Sequence, residues 1–89
     1  MQTTKILLVE DDRLIIENLT EFLKGEGFEV QYAEGQEKAM RLLEEQEFDL
    51  ILLDVTLAQG NGYSACTQIK SRYEIPIIFL TALDDEFSV

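Results

Sequence analysis

Asp49-Leu50-Ile51-Leu52-Leu53-Asp54 is the stretch that decides the fold. Four consecutive apolar residues between carboxylates fit a strand buried on both faces, as the central strands of parallel sheets are. The run is too short for a helix to bury alone. Beyond Asp54, Val55-Thr56-Leu57-Ala58-Gln59-Gly60-Asn61-Gly62 reads as a loop, because it ends in a glycine-rich turn signal. Open α/β sheets bind ligands outside the carboxyl ends of their strands. Asp54 sits at such an end and is the first candidate for chemistry.

Working outward, Ile6-Leu7-Leu8-Val9 is a second short apolar run, and it also ends in acid, Glu10-Asp11-Asp12. Ile15, Leu19, Phe22 and Leu23 then fall on one helical face, with Asp12 placed as N-cap and Gly25 and Gly27 as the stop. Phe28, Val30 and Tyr32 alternate with Glu29 and Gln31, the pattern of a half-exposed edge strand. Gly35 opens a helix with Ala39, Leu42 and Leu43 inward and Glu37, Lys38, Arg41 and Glu44 outward.

Downstream of the loop, Tyr63, Cys66, Ile69 and Tyr73 recur at helical spacing. Pro76 opens the strand Ile77-Ile78-Phe79-Leu80, a tolerated place for proline, and Thr81 closes it. Asp84-Asp85-Glu86 suit the first turn of another helix. Strict alternation of strand and helix predicts an α/β fold: a doubly wound, flavodoxin-like parallel sheet of order 2-1-3-4-5 whose fifth strand and last helix are absent from this sequence. The strand from Ile77 to Leu80 is then an uncovered apolar edge, through which the chain is expected to self-associate.

The 89 residues support one domain, 1–89. Eighteen acidic against seven basic residues give a net charge of −11, which opposes nucleic-acid binding and attraction to anionic membranes. The sequence contains no histidine, so histidine catalysis and histidine metal ligation are excluded. The single cysteine, Cys66, cannot close an internal disulfide, and no apolar run approaches the ~20 residues of a membrane span. A cytoplasmic domain is expected.

If the strands ending at Val9 and Asp54 are neighbours, Glu10, Asp11 and Asp54 converge. Clustered negative charge of this kind is costly and raises some pKa values. A hard divalent cation relieves it, and two carboxylates, a backbone carbonyl and waters make the partial octahedral cage that Mg²⁺ accepts. Such a site can neutralise an incoming phosphoryl group while a carboxylate attacks it. Thr81, at the end of another buried strand, can offer its hydroxyl to a phosphoryl oxygen. Asp12 is read as a helix cap.

Taken together, Ile6-Leu7-Leu8-Val9-Glu10-Asp11-Asp12, Asp49-Leu50-Ile51-Leu52-Leu53-Asp54, Asn61-Gly62 and Pro76-Ile77-Ile78-Phe79-Leu80-Thr81-Ala82 resemble the receiver domain of two-component response regulators. The similarity spans the chain in order and register. Leu80-Thr81-Ala82-Leu83-Asp84-Asp85-Glu86 further resembles receivers that precede a winged-helix DNA-binding domain. The resemblance implies that Asp54 accepts the phosphoryl group from a sensor histidine kinase, switching an output domain outside this chain. It implies Mg²⁺ held by Asp11 and Asp54, by the backbone carbonyl of Thr56, and by Glu10 through water. It makes Thr81 the switch hydroxyl.

Two positions depart from the family pattern. Ala58 stands where proline is usual, and the lysine expected after a fifth strand has no counterpart. A phosphorylation-poor interaction or dimerisation module is therefore the alternative function. A haloacid-dehalogenase-like hydrolase ranks below both, since its second aspartate two residues after the nucleophile is here Thr56. An EF-hand ranks below as well, for want of its Asp-rich loop.

Overall fold

Up to Leu80 each apolar run becomes a strand and each stretch of helical spacing a helix; the helix start expected at Asp84-Asp85-Glu86 lies outside the described residues. The structure, a computed structural model, describes residues 3–54 and 62–80. In chain order these form β1 (Lys5–Val9), α1 (Arg13–Gly25), β2 (Glu29–Ala33), α2 (Gln36–Glu45), β3 (Leu50–Asp54), α3 (Gly62–Lys70) and β4 (Ile77–Leu80). The four strands make one parallel sheet of order β2-β1-β3-β4. This is the flavodoxin-like arrangement expected from the sequence, and α1 to α3 are its helices.

Strand side chains alternate between faces. On one face Leu7, Val9, Ile51 and Leu53 pack with Ala39, Met40 and Leu43 of α2 and with Ala65 and Ile69 of α3. Fully burying each large side chain of this core stabilises the fold by roughly 1.5–3 kcal/mol. Ile6 and Leu8 point to the other face, where α1 contributes Ile16 as its one buried residue.

Cover on that second face is uneven. The register aligns Leu8 with Leu52 and Leu52 with Ile78. Leu8 is fully buried, Leu52 is half-buried and Ile78 is 51% exposed. Shielding fades from β1 towards β4, so β3 is not covered on both sides as its apolar run alone suggests. On α1, Phe22 is 61% exposed and not inward as its spacing predicts. The helix presents Ile16 to the sheet, and Phe22 is left beyond it.

In α2, Met40 joins Ala39 and Leu43 in the core, while Leu42 is only partly buried. Among the described side chains of α3, Ala65 and Ile69 are buried, while that of Tyr63 lies outside the description; Tyr73 lies past the helix end but still packs on the core. The stop after α1 uses Gly27, whose φ of +97° is a left-handed conformation that glycine adopts without strain.

Asp12 caps α1 as the sequence suggests. Its carboxylate accepts from the backbone N–H of Leu14 at 2.9 Å and of Ile15 at 3.3 Å. Asp12→Ala should therefore cost about 1 kcal/mol, read as a lower urea midpoint. An unchanged midpoint would show that the cap contributes nothing.

Candidate functional site

β1 and β3 are adjacent, and Val9 pairs with Leu53. The next residue on each strand, Glu10 and Asp54, therefore emerge side by side at the carboxyl end of the sheet. From β1 the chain runs through α1 to β2 on one flank, while β3 lies on the other. This is the point where strand order reverses, and crevices for ligands form there. The Glu10 N–H donates to the Ala33 carbonyl at 3.0 Å, continuing the β1–β2 ladder one residue past Val9. That bond fixes the Glu10 backbone before the chain turns into Asp11, Asp12 and α1.

Glu10, Asp11 and Asp54 each bring a carboxylate oxygen within 4.8 Å of the other two. Glu10 is only 2% exposed and Asp54 only 7%, while Asp11 is partly buried. The backbone N–H of Asp12 donates to Glu10 Oε2 at 3.1 Å. Burial pushes the Glu10 carboxyl up from 4.5 to about 7. The Asp12 N–H works against this rise, while the hydrogen bond with Asp54 and the negative charges of Asp54 and Asp11 add to it. A hydrogen bond between two carboxyl groups needs one proton, and burial favours it on Glu10.

Three hard oxygen donors, no soft ligand and an excess of negative charge are the chemistry that Mg²⁺ accepts. Opposite oxygens of a Mg²⁺ octahedron lie about 4 Å apart, adjacent ones about 3 Å. Small side-chain rotations bring a cluster spanning at most 4.8 Å to those values. The donor set fits the ion.

The sequence reading thus named all three members of the cluster, and no further Asp, Glu or Cys joins them among the described residues. Asp12 stays apart as the helix cap. Thr56 and Thr81 lie outside the described residues. What spacing did not reveal is that Glu10 is the most buried of the three acids, and that burial raises its carboxyl.

A doubly wound parallel sheet with carboxylates gathered at its switch point defines a flavodoxin-like domain whose clustered oxygens suit a hard cation. The chain belongs to the response regulator receiver domain family, whose profile matches residues 6–89. Among similar solved structures is the non-phosphorylated HemR receiver domain from Leptospira biflexa, 34% identical with a TM-score of 0.82. Its alignment covers 97% of this chain and 70% of that one. A two-component response regulator from Clostridium difficile is 29% identical with a TM-score of 0.88, over 98% of this chain and 72% of that one. The BeF3-activated N-terminal receiver domain of Klebsiella pneumoniae RstA is 27% identical with a TM-score of 0.85, over 96% and 73%. The chain spans 59% of another similar structure, a fusion that carries a yeast Spc42 coiled coil.

Receiver domains are signalling domains of two-component systems that generally work with histidine kinases and bind Mg²⁺. No helix among the described residues is long and apolar enough to cross a membrane.

Proposed function

We propose that this chain, as one receiver domain over residues 1–89, is a phosphoacceptor in which Asp54 takes a phosphoryl group from the phosphohistidine of a sensor histidine kinase. The supporting observation is the convergence of Glu10, Asp11 and Asp54 at the switch point. A carboxylate oxygen of Asp54 attacks phosphorus and the P–N bond breaks. Its electron pair leaves on the imidazole nitrogen, which is protonated as it departs. The products are an aspartyl phosphate and an unmodified histidine.

Asp11 and Asp54 would hold Mg²⁺ through their side chains, Thr56 through its backbone carbonyl and Glu10 through a water. When bound, the ion supplies positive charge against the phosphoryl oxygens. The Thr81 hydroxyl would donate to a phosphoryl oxygen and so report phosphorylation to an output domain, here read as a transcriptional one. Chemistry beyond self-phosphorylation and slow self-dephosphorylation is not part of this reading, and the setting is the cytoplasm. Acetyl phosphate with Mg²⁺ tests it, as set out in the Discussion.

Magnesium should also stabilise the chain, since it binds the folded cluster and not the dispersed carboxylates of the unfolded chain. At ten times its dissociation constant the gain is about 1.4 kcal/mol. Calorimetry in EDTA against millimolar Mg²⁺ reads it as a higher Tm; identical scans would remove the metal from the account.

A second reading, an interaction module, draws on β4. Ile78 is 51% and Phe79 38% exposed on opposite faces of an edge strand. Exposed apolar edges invite pairing with another chain. Sedimentation should show concentration-dependent association that Ile78→Lys abolishes. A monomer at every concentration would refute self-association through β4.

A further inference from the structure

Asp12 lends no oxygen to the carboxylate cluster, yet it is hydrogen-bonded in both directions along the chain. Forward, its carboxylate accepts from the Leu14 N–H at 2.9 Å and the Ile15 N–H at 3.3 Å, and its carbonyl accepts from the Ile16 N–H at 3.0 Å. These bonds tie its backbone, extended at φ −85° and ψ 115°, to the first turn of α1. Backward, its own N–H donates to Glu10 Oε2 at 3.1 Å.

Glu10 is held from the other side by the sheet, through its N–H on the Ala33 carbonyl. Asp11 is therefore the single residue between two fixed points, the sheet at Glu10 and α1 at Asp12. Without the cap the Asp12 backbone gains freedom. The N–H on Glu10 then loses its aim, and Asp11 loses its fixed direction away from the sheet. Groups that orient the ligands of a metal affect its binding nearly as the ligands do.

We propose that Asp12 is a positioning residue for the cation site: by capping α1 it fixes the backbone that orients Glu10 and presents Asp11. The inference rests on the reading of Glu10, Asp11 and Asp54 as a Mg²⁺ site, and it assigns Asp12 no contact with the ion.

Neutral substitutions separate geometry from charge. Asparagine and serine cap helices about as well as aspartate, threonine less well, and alanine poorly. Mg²⁺ dissociation constants are read from the amide shifts of the whole folded chain in a heteronuclear NMR titration with MgCl₂. Asp12→Asn and Asp12→Ser should bind alike. Asp12→Ala should bind about tenfold more weakly than either, the loss expected when a group that orients a ligand is removed. Asp12→Thr should fall between them, and it carries the test where alanine unfolds the chain. Ile69→Val trims a buried core side chain of α3 and also costs a little stability, yet it should bind Mg²⁺ as wild type does. Equal affinity across the Asp12 variants, or a matching loss in Ile69→Val, would overturn the proposal and leave the metal site standing. A wild-type chain without Mg²⁺-dependent shifts would overturn the metal reading and the proposal with it.

Discussion

Asp54→Asn should abolish the gain of about 80 Da that the wild-type chain shows after incubation with acetyl phosphate and Mg²⁺. An amide is not a nucleophile towards phosphorus, whereas the Asp54 carboxylate sits at the mouth of the switch-point crevice. The effect is all-or-none on the scale of the assay, since removing a nucleophile typically costs many powers of ten in rate. Asparagine can still accept the hydrogen bond from Glu10, so the variant is expected to fold and loss of signal reports chemistry. A mass gain that survives in Asp54→Asn would move the acceptor to Asp11 or Glu10. A wild-type chain that never gains mass would favour the interaction-module reading.

The second large effect belongs to Glu10. Its carboxyl is raised from 4.5 to about 7 in the fold, so the folded chain binds this proton more tightly than the unfolded chain does. Below about pH 4.5 the group is protonated in both states and costs nothing. As pH rises towards 7 the unfolded chain ionises first, and the fold loses stability through that window. Above it the loss is complete, on the order of 3 kcal/mol. Glu10→Gln cannot ionise and can still accept from the Asp12 N–H. In EDTA the variant should match wild type near the acidic end of the window and exceed it by up to roughly 3 kcal/mol near pH 8, measured by urea unfolding. An equal difference at both pH values would show that the burial of Glu10 carries no such cost. Saturating Mg²⁺ should shrink the variant's advantage, because the ion offsets the charge that glutamine removes.

Much of this architecture is legible in the residues themselves. Two short apolar runs, each ending in acid, Ile6–Val9 and Leu50–Leu53, are adjacent strands in the sheet, and their acids meet as expected. Among the described residues the strand from Ile77 to Leu80 is the sheet's edge, as expected when no fifth strand is read, although its apolar pattern alone suggests a buried strand. What spacing could not decide is how far each helix covers the sheet. Ile15, Leu19, Phe22 and Leu23 form a regular stripe, yet Ile16 is the residue that seats α1, because rotation is set by how the helix packs on the sheet, chiefly on β2. Met40 and Ala65 escape the pattern for a similar reason: a flexible or small side chain gives little periodic signal, yet both are buried in the core. Acid crowding predicted raised pKa values without saying whose. Burial selects Glu10, a property of packing and not of order along the chain.

The central claim is that the gathered carboxylates make Asp54 the residue that takes up phosphate. Borohydride reduction of the chain after acetyl phosphate and Mg²⁺ tests it most directly, since an aspartyl phosphate is reduced to homoserine at the modified position. Tandem mass spectrometry should find homoserine at position 54 alone, and none when Mg²⁺ is withheld. Homoserine at another aspartate, or at position 54 regardless of Mg²⁺, would contradict the account.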